Sequence, residues 1–401
     1  MFSLEKIKDI SMQSSSKVVL LVIDGLGGLP KPETGKTELE TARTLNLDRL
    51  AANGVCGMID PVFPGITPGS GPGHLALFGY DPFKYNIGRG ILEALGIDFD
   101  LKSNDVAARG NFCTVDRDGV ILDRRAGRLS TEKNAELCRK FSDITINGIK
   151  VFVSPVNGHR FVLVLRGIGL AAEVSDSDPQ QIGVSPKMIV PLSTKAEKTS
   201  RLANEFIAKA SVVLADSHPA NMMLLRGFAR RPNLPTMGEL FKLNPAAIAA
   251  YPMYRGLSKL VGMKVLDTKA SVEETFNTLV KHYDEHDYFF IHVKRPDAAG
   301  EDGDFEGKVR ALEEVDSLMP IITGLEPDVI VVTGDHSTPA LLKAHSWHPV
   351  PILLYSQWCR PDLVSEFSES ACSQGIIGRF PATAIMPLAM ANALKLSKFG
   401  A

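Results

Sequence analysis

Cysteine is scarce and unpatterned: Cys56, Cys113, Cys138, Cys359 and Cys372 form no C-x-x-C pair, and their total is odd. Neither a disulfide framework nor a zinc ribbon is indicated, and a reducing cytoplasm is the expected setting. An excess of one charge is also missing. With 22% charged and 44% hydrophobic residues and a formal net charge of -2, the chain has the profile of an ordinary soluble globular protein, with no pull toward nucleic acid or a membrane surface. No apolar run approaches membrane-spanning length, and "MFSLEKIKDISM" lacks the apolar core of a signal peptide. Internal repeats and low-complexity segments are absent. The segment "PKPETGKT" falls short of a phosphate-binding P-loop, because Pro30 stands where the pattern needs its first glycine, seven residues before Thr37.

What is present is a set of strand and helix patterns in a chain of 401 residues, long enough for about two or three domains. "KVVLLVIDG" from Lys17 is a continuous aliphatic run closed by Asp-Gly, the pattern of a strand buried on both faces. Similar runs return in "DYFFIHVK" from Asp287, "PDVIVVTG" from Pro327 and "VPILLY" from Val350. Helical patterns lie between them: "SVEETFNTLVKHYDEH", with Ser271 as N-cap and Glu274 three residues on, and "FEGKVRALEEVDSLMPIITG" from Phe305. This alternation favours an α/β core with a mainly parallel sheet flanked by helices. From about 101 to 244 the strand signals instead alternate with polar residues between turns, which suits a mixed sheet with one exposed face. The expected organisation is a discontinuous core, 1–100 with 245–401, interrupted by an inserted α+β domain, 101–244.

In a parallel sheet the ligand crevice lies beyond the carboxyl ends of the strands. Asp24 follows "VVLLVI", Asp297 follows "FFIHVK", and Asp335 with His336 follows "VIVVTG"; His345 and His348 come close behind. Taken singly each has a plain structural explanation, since Asp-Gly after a strand is commonly a turn and a lone histidine commonly structural. Together they differ, because acids gathered at one sheet edge repel one another and call for a cation. A second component is "GITPGSGPGHLALFGYDP", in which Ser70 sits in a glycine-rich loop running into a helical pattern. It reads either as a surface loop with an N-cap serine or as a nucleophile whose hydroxyl lies at a helix N-terminus, where free amides stabilise an alkoxide or a phosphate. As a nucleophile it needs a base or a metal, and Asp24, Asp335 and His336 offer the metal.

The segments "VIDGLGG", "GHLALFGYDP", "VKRPDAAGEDGDFEGK", "TGDHSTP" and "AHSWHPVP" together resemble the alkaline phosphatase superfamily, and within it the archaeal-type branch of cofactor-independent phosphoglycerate mutases. Further matches, "DVAARGNF", "DRRAGR", "VLRG", "DSDP" and "PMYRG", extend the resemblance over nearly the whole chain. It implies an alkaline phosphatase-like core, two divalent metal ions, manganese or zinc with magnesium or cobalt as substitutes, and a serine that becomes phosphorylated. It further implies that the enzyme interconverts 2-phosphoglycerate and 3-phosphoglycerate in glycolysis and gluconeogenesis. Carried over by position, one ion falls to Asp24, Ser70, Asp335 and His336, and the other to Asp297, Glu301 and His345. His348 and His292 are left as supporting or structural. Glu301 departs from the family pattern D-x-x-G-H, since this chain reads "DAAGE"; an oxygen donor there shifts preference toward harder cations.

For the substrate, guanidinium groups suit both the phosphate and the carboxylate of phosphoglycerate. The resemblance points to Arg125, Arg128, Arg160 and Asp178 in the insert, and to Lys294 beside the transferring phosphoryl group. Closure of the insert over the metal site is expected to keep water from a phosphoserine. The rival reading is a phosphatase or phosphodiesterase that shares the metal core and passes phosphate to water; a binding module without turnover is the non-enzymatic one.

Overall fold

The computed structural model describes residues 4–85 and 87–400. It divides into two units, Met1–Asn86 with Leu234–Ala401, and Ile87–Asn233. The strands in chain order are β1 (Val18–Ile23) and β2 (Val55–Asp60) in the first unit, then β3 (Val106–Val115), β4 (Ile121–Asp123), β5 (Lys150–Asn157), β6 (Arg160–Arg166) and β7 (Met222–Ala229) in the second. The chain then returns to the first unit for β8 (Pro245–Ile248), β9 (Lys264–Leu266), β10 (Tyr288–Val293), β11 (Val329–Thr333), β12 (Val350–Ser356) and β13 (Gly378–Pro381).

The first unit is built on an eight-stranded sheet in the order β13-β2-β12-β11-β1-β10-β8-β9. Its long aliphatic runs are the central strands. All six residues of β1 are buried, and β1 pairs in parallel with β10 on one side and β11 on the other. Branched aliphatic side chains fit this position because both faces of the pleat are covered. The sheet is mainly parallel, as expected; β12 runs antiparallel to both β11 and β2. Since β10, β1 and β11 are adjacent and point the same way, the residues that follow them emerge side by side at one edge of the sheet. The expected helices are present at Val272–His282, where Ser271 Oγ accepts from the Glu274 amide, and at Phe305–Thr323, capped by Asp304. The strands β8, β9 and β13 went unread in the sequence because each has only three or four residues, and β2 because "VCGMID" is broken by a glycine and is no continuous aliphatic run.

The second unit holds a five-stranded sheet, β4-β3-β6-β5 with β7 on the other side of β3. Two expectations are corrected here. The sheet is wholly antiparallel rather than mixed, and β3 is buried along nearly its whole length instead of showing one wet face. The cause is the helix Arg89–Gly96, which packs on β3, β6 and β7. That helix also moves the boundary: the units part at 86/87 and 233/234, whereas the sequence reading put the cuts at 100/101 and 244/245. Among the described residues, no helix is long and apolar enough to cross a membrane.

Candidate active site and metal centre

The helix Ser70–Leu77 begins at Gly69, with Pro72 in its first turn, where a missing amide proton costs nothing. Gly73 brings it hard against the loop after β11, since a Cβ there would fall 2.3 Å from the Asp335 carbonyl oxygen. Ser70, 8% exposed, thereby has its Oγ 3.2 Å from His336 Nε2. Asp24, Asp335 and His336, all fully buried, bring one donor atom each within 4.8 Å of one another. The structure thus gathers the four residues that the sequence put in one set.

Asp24 is held on one side only. Its Oδ2 accepts from Tyr254 Oη, from His292 Nε2 at 2.9 Å and from Lys294 Nζ at 3.1 Å, while its Oδ1 has no hydrogen-bond partner. Asp335 Oδ2 is likewise without a well-directed hydrogen bond, although His74 Nδ1 and His336 Nε2 each lie 3.1 Å away. Burial and Asp335 push the Asp24 carboxyl up, but Lys294 and His292 outweigh them and hold it at about 2. Burial also opposes ionisation of Asp335, and the imidazoles of His336 and His74 hold it well below the usual carboxylate range. His336 is raised to about 9, against its burial, by Asp335, Asp24 and Asp297. Two buried carboxylate oxygens without hydrogen-bond partners, facing an imidazole and a serine hydroxyl, are the acceptors that a cation requires.

A second group adjoins the first. Asp297, His336 and His345 also bring donor atoms within 4.8 Å of one another, so His336 is within reach of both sets. The His336 and His345 rings stack at 3.6 Å. His345 Nδ1 lies 2.9 Å from the Pro68 carbonyl and must donate there, which leaves Nε2 facing Asp297 Oδ1 at 3.6 Å and Glu301 Oε1 at 3.8 Å. Glu301 is at hand but loosely held, its side chain 56% exposed. Lys294 Nζ bridges Asp24 and Asp297; burial works against its charge, but the two carboxylates raise its pKa well above that of an ordinary lysine. His292 lies within β10 with its ring on Asp24, and His348 stacks on Trp347 with Nδ1 3.0 Å from Ser346 Oγ.

Tyr254, His74 and Thr338 were not singled out from sequence. Only His74 left a usable signal, four residues beyond Ser70 and so on the same helix face. Its Nδ1 bonds the Ser70 carbonyl at 2.8 Å.

In the second unit Arg109, on β3, is buried beside Glu93 at 3.8 Å. Burial, then the neighbouring guanidinium groups of Arg160, Arg89 and Arg226, push its pKa down to about 9. Asp178 is buried and clamped by Arg124 in two hydrogen bonds, with Arg226 at 3.8 Å, so its carboxylate orients guanidinium groups. His159 sits among the same cations: burial, Arg160, Arg109 and Arg125 push it down to about 4. Of the insert residues named from sequence, Asp178 pairs with Arg124 and Arg226 and Arg160 lies near Arg109 and His159, while Arg125, which also faces His159, and Arg128 are both exposed. Arg89, Arg109, Arg124 and Arg226 were missed.

Fold and site together define an α/β protein with a serine at a helix N-terminus beside a carboxylate and imidazole cluster at a sheet edge. A family model for 2,3-bisphosphoglycerate-independent phosphoglycerate mutase matches residues 51–221. The chain is 48% identical over 397 residues to a protein of Thermosipho africanus, covering 98% of each, and 50% identical over 390 residues to one of Thermotoga neapolitana, covering 97% of this chain and 96% of the other. Both carry the name "Probable 2,3-bisphosphoglycerate-independent phosphoglycerate mutase". A solved protein of Pyrococcus horikoshii superposes with a TM-score of 0.84 at 30% identity, over 96% of this chain and 99% of that one. The cofactor-independent phosphoglycerate mutase of Thermoplasma acidophilum does so at 0.69 and 30% identity, over 94% and 100%. This chain belongs to the 2,3-bisphosphoglycerate-independent phosphoglycerate mutase family.

Proposed function

We propose that the protein is an isomerase that interconverts 2-phosphoglycerate and 3-phosphoglycerate through a phosphoserine at Ser70, in cytoplasmic glycolysis and gluconeogenesis. The observation that carries this reading is the placement of Ser70 Oγ, 3.2 Å from His336 Nε2 at the N-terminus of its helix, beside two clusters of buried acceptor atoms. Family membership supports it.

The donor set fits two divalent cations. Asp24, Ser70, Asp335 and His336 would hold one, and Asp297, Glu301 and His345 the other. Mixed carboxylate and imidazole donors suit manganese or zinc, and the oxygen of Glu301 also admits magnesium or cobalt. Bound there, the ions would supply Lewis-acid polarisation and neutralise phosphoryl charge.

The remaining chemistry belongs to the chain. Ser70 Oγ attacks phosphorus as the bond to one glycerate oxygen breaks, and the serine proton ends on the hydroxyl released. The reverse step returns the phosphoryl group to the neighbouring hydroxyl, so no water is consumed. Free amides in the first turn of the helix Ser70–Leu77 face the phosphoryl oxygens. Lys294, kept protonated by Asp24 and Asp297, donates to the same oxygens. Arg125, Arg128 and Arg160 bind the carboxylate of the substrate, and Asp178 keeps Arg124 and Arg226 in place. The gathering of guanidinium groups near Arg109 supports an anion as the ligand of this unit.

The test is a coupled assay that follows 2-phosphoglycerate formed from 3-phosphoglycerate with no added bisphosphoglycerate. Manganese-loaded protein should be active, and prior chelation should abolish the conversion. Release of inorganic phosphate with no isomer formed would instead make the protein a hydrolase.

A further inference from the structure

Thr338 stands between the two donor groups and was assigned to neither. It is fully buried, with its Oγ1 2.7 Å from Asp297 Oδ1 and 2.9 Å from His336 Nδ1. A hydroxyl has one proton to give. An ionised carboxylate offers only lone pairs, so that proton goes to Asp297, and toward the imidazole the hydroxyl oxygen can only accept. His336 Nδ1 must therefore carry a hydrogen. In the neutral ring the lone pair then lies on Nε2, the nitrogen that faces Ser70 Oγ at 3.2 Å, Asp335 Oδ2 at 3.1 Å and Asp24 Oδ1 at 3.4 Å.

The backbone that carries the threonine is fixed. Its amide donates to the Gly27 carbonyl at 3.0 Å, and Nζ of the fully buried Lys308 donates to the carbonyls of both Gly27 and Thr338 at 2.9 Å. These bonds tie the loop after β1 to the loop after β11. Gly25, at φ 68°, closes the remaining side: a Cβ there would fall 2.7 Å from Thr338 Oγ1, so the turn requires glycine.

We infer that Thr338 is a positioning residue shared by both cation sites: one hydroxyl fixes the tautomer of His336 in one site and the orientation of the Asp297 carboxylate in the other. The inference rests on the two-cation reading above. It follows that removing a single hydroxyl weakens both sites at once, and that occupation of one site stiffens a ligand of the other.

Calorimetric titration of metal-free protein with Mn2+ tests it on wild type, Thr338→Val and Thr338→Ser. Wild type should take up two ions. Thr338→Val, which keeps the shape but loses the hydroxyl, should bind both about 10- to 100-fold more weakly, while Thr338→Ser should stay near wild type. A merely structural role would lower Tm in Thr338→Val without changing either affinity, and that result would overturn the inference alone. Uptake of fewer than two ions by wild type would overturn the two-cation reading, and this inference with it. Should Thr338→Val fail to fold, histidine nitrogen-15 NMR of zinc-loaded wild type still decides: the proton of His336 is expected on Nδ1, and a proton on Nε2 would refute the assignment.

Discussion

The two units gather opposite kinds of polar group. In the first, acceptors outnumber donors: Asp24 Oδ1 and Asp335 Oδ2 are buried without hydrogen-bond partners, and Lys294 lies between two carboxylates. In the second, the guanidinium groups of Arg160, Arg89 and Arg226 lie near enough to the buried Arg109 to lower its pKa, with Glu93 beside Arg109 and Asp178 beside Arg226. On the proposed function, the first unit would serve cations and the second an anion. Burying Asp24 Oδ1 and Asp335 Oδ2 without a hydrogen-bond partner costs free energy, which a ligand would offset.

The comparison is broken most severely at its acceptor-rich end. Asp335→Asn should lose the cation shared with Asp24 and reduce kcat by at least about 10³-fold, with the fold retained by circular dichroism. Near-normal turnover would mean that the orphan oxygens serve no ion. At the donor-rich end, Arg160→Ala should raise KM for phosphoglycerate and lower kcat/KM by about 10- to 100-fold, since a charge-assisted hydrogen bond contributes about 1.5–3 kcal/mol. Mn2+ affinity should stay unchanged, and a parallel loss of metal binding would erase the distinction between the units. Glu301→Ala should weaken one of two Mn2+ sites by about tenfold, while Glu301→His preserves stoichiometry with an altered metal preference. Unchanged calorimetry in Glu301→Ala would reduce the residue to an exposed acid.

The smallest effect concerns pH. His159 titrates at about 4 in the folded unit against about 6.5 unfolded, so the unfolded chain binds the extra proton first. This contribution leaves stability unchanged above the unfolded value, and costs stability as pH falls from there through about 4. Discounted for partial exposure, the loss is about 1–2 kcal/mol. Denaturant titrations at the two ends of that window should show it in wild type and less of it in His159→Gln. Saturating anion should raise the His159 pKa, because neutralised guanidinium groups no longer repel its proton.

The acceptor-rich site was legible in the sequence and the donor-rich one mostly was not. Asp24, Asp297, Asp335 and His336 follow buried strands of a parallel sheet, and topology sends such residues to one edge whatever the details of packing. Arg109, Arg160 and Arg226 lie on antiparallel strands, and Arg89 on a helix, so their meeting depends on strand register: Arg109 pairs with Arg226 across β3 and β7, which no local pattern announces. The same limit hid Thr338, Tyr254 and Lys308, whose roles arise from contacts between segments far apart in the chain. The helix Arg89–Gly96 shows it for the fold: its pattern is an ordinary amphipathic one, and only its packing assigns it to the inserted unit.

The central claim is that Ser70 holds the phosphoryl group and returns it to glycerate in preference to water. Manganese-loaded protein should be mixed with phosphoglycerate labelled in its phosphoryl group, quenched within a turnover and mapped by mass spectrometry, with isomer and inorganic phosphate measured alongside. The account predicts label on Ser70, interconversion of the two isomers and little free phosphate, with label and isomerisation both lost in Ser70→Ala. Isomerisation that persists in Ser70→Ala, or inorganic phosphate as the dominant product of the wild type, would contradict it.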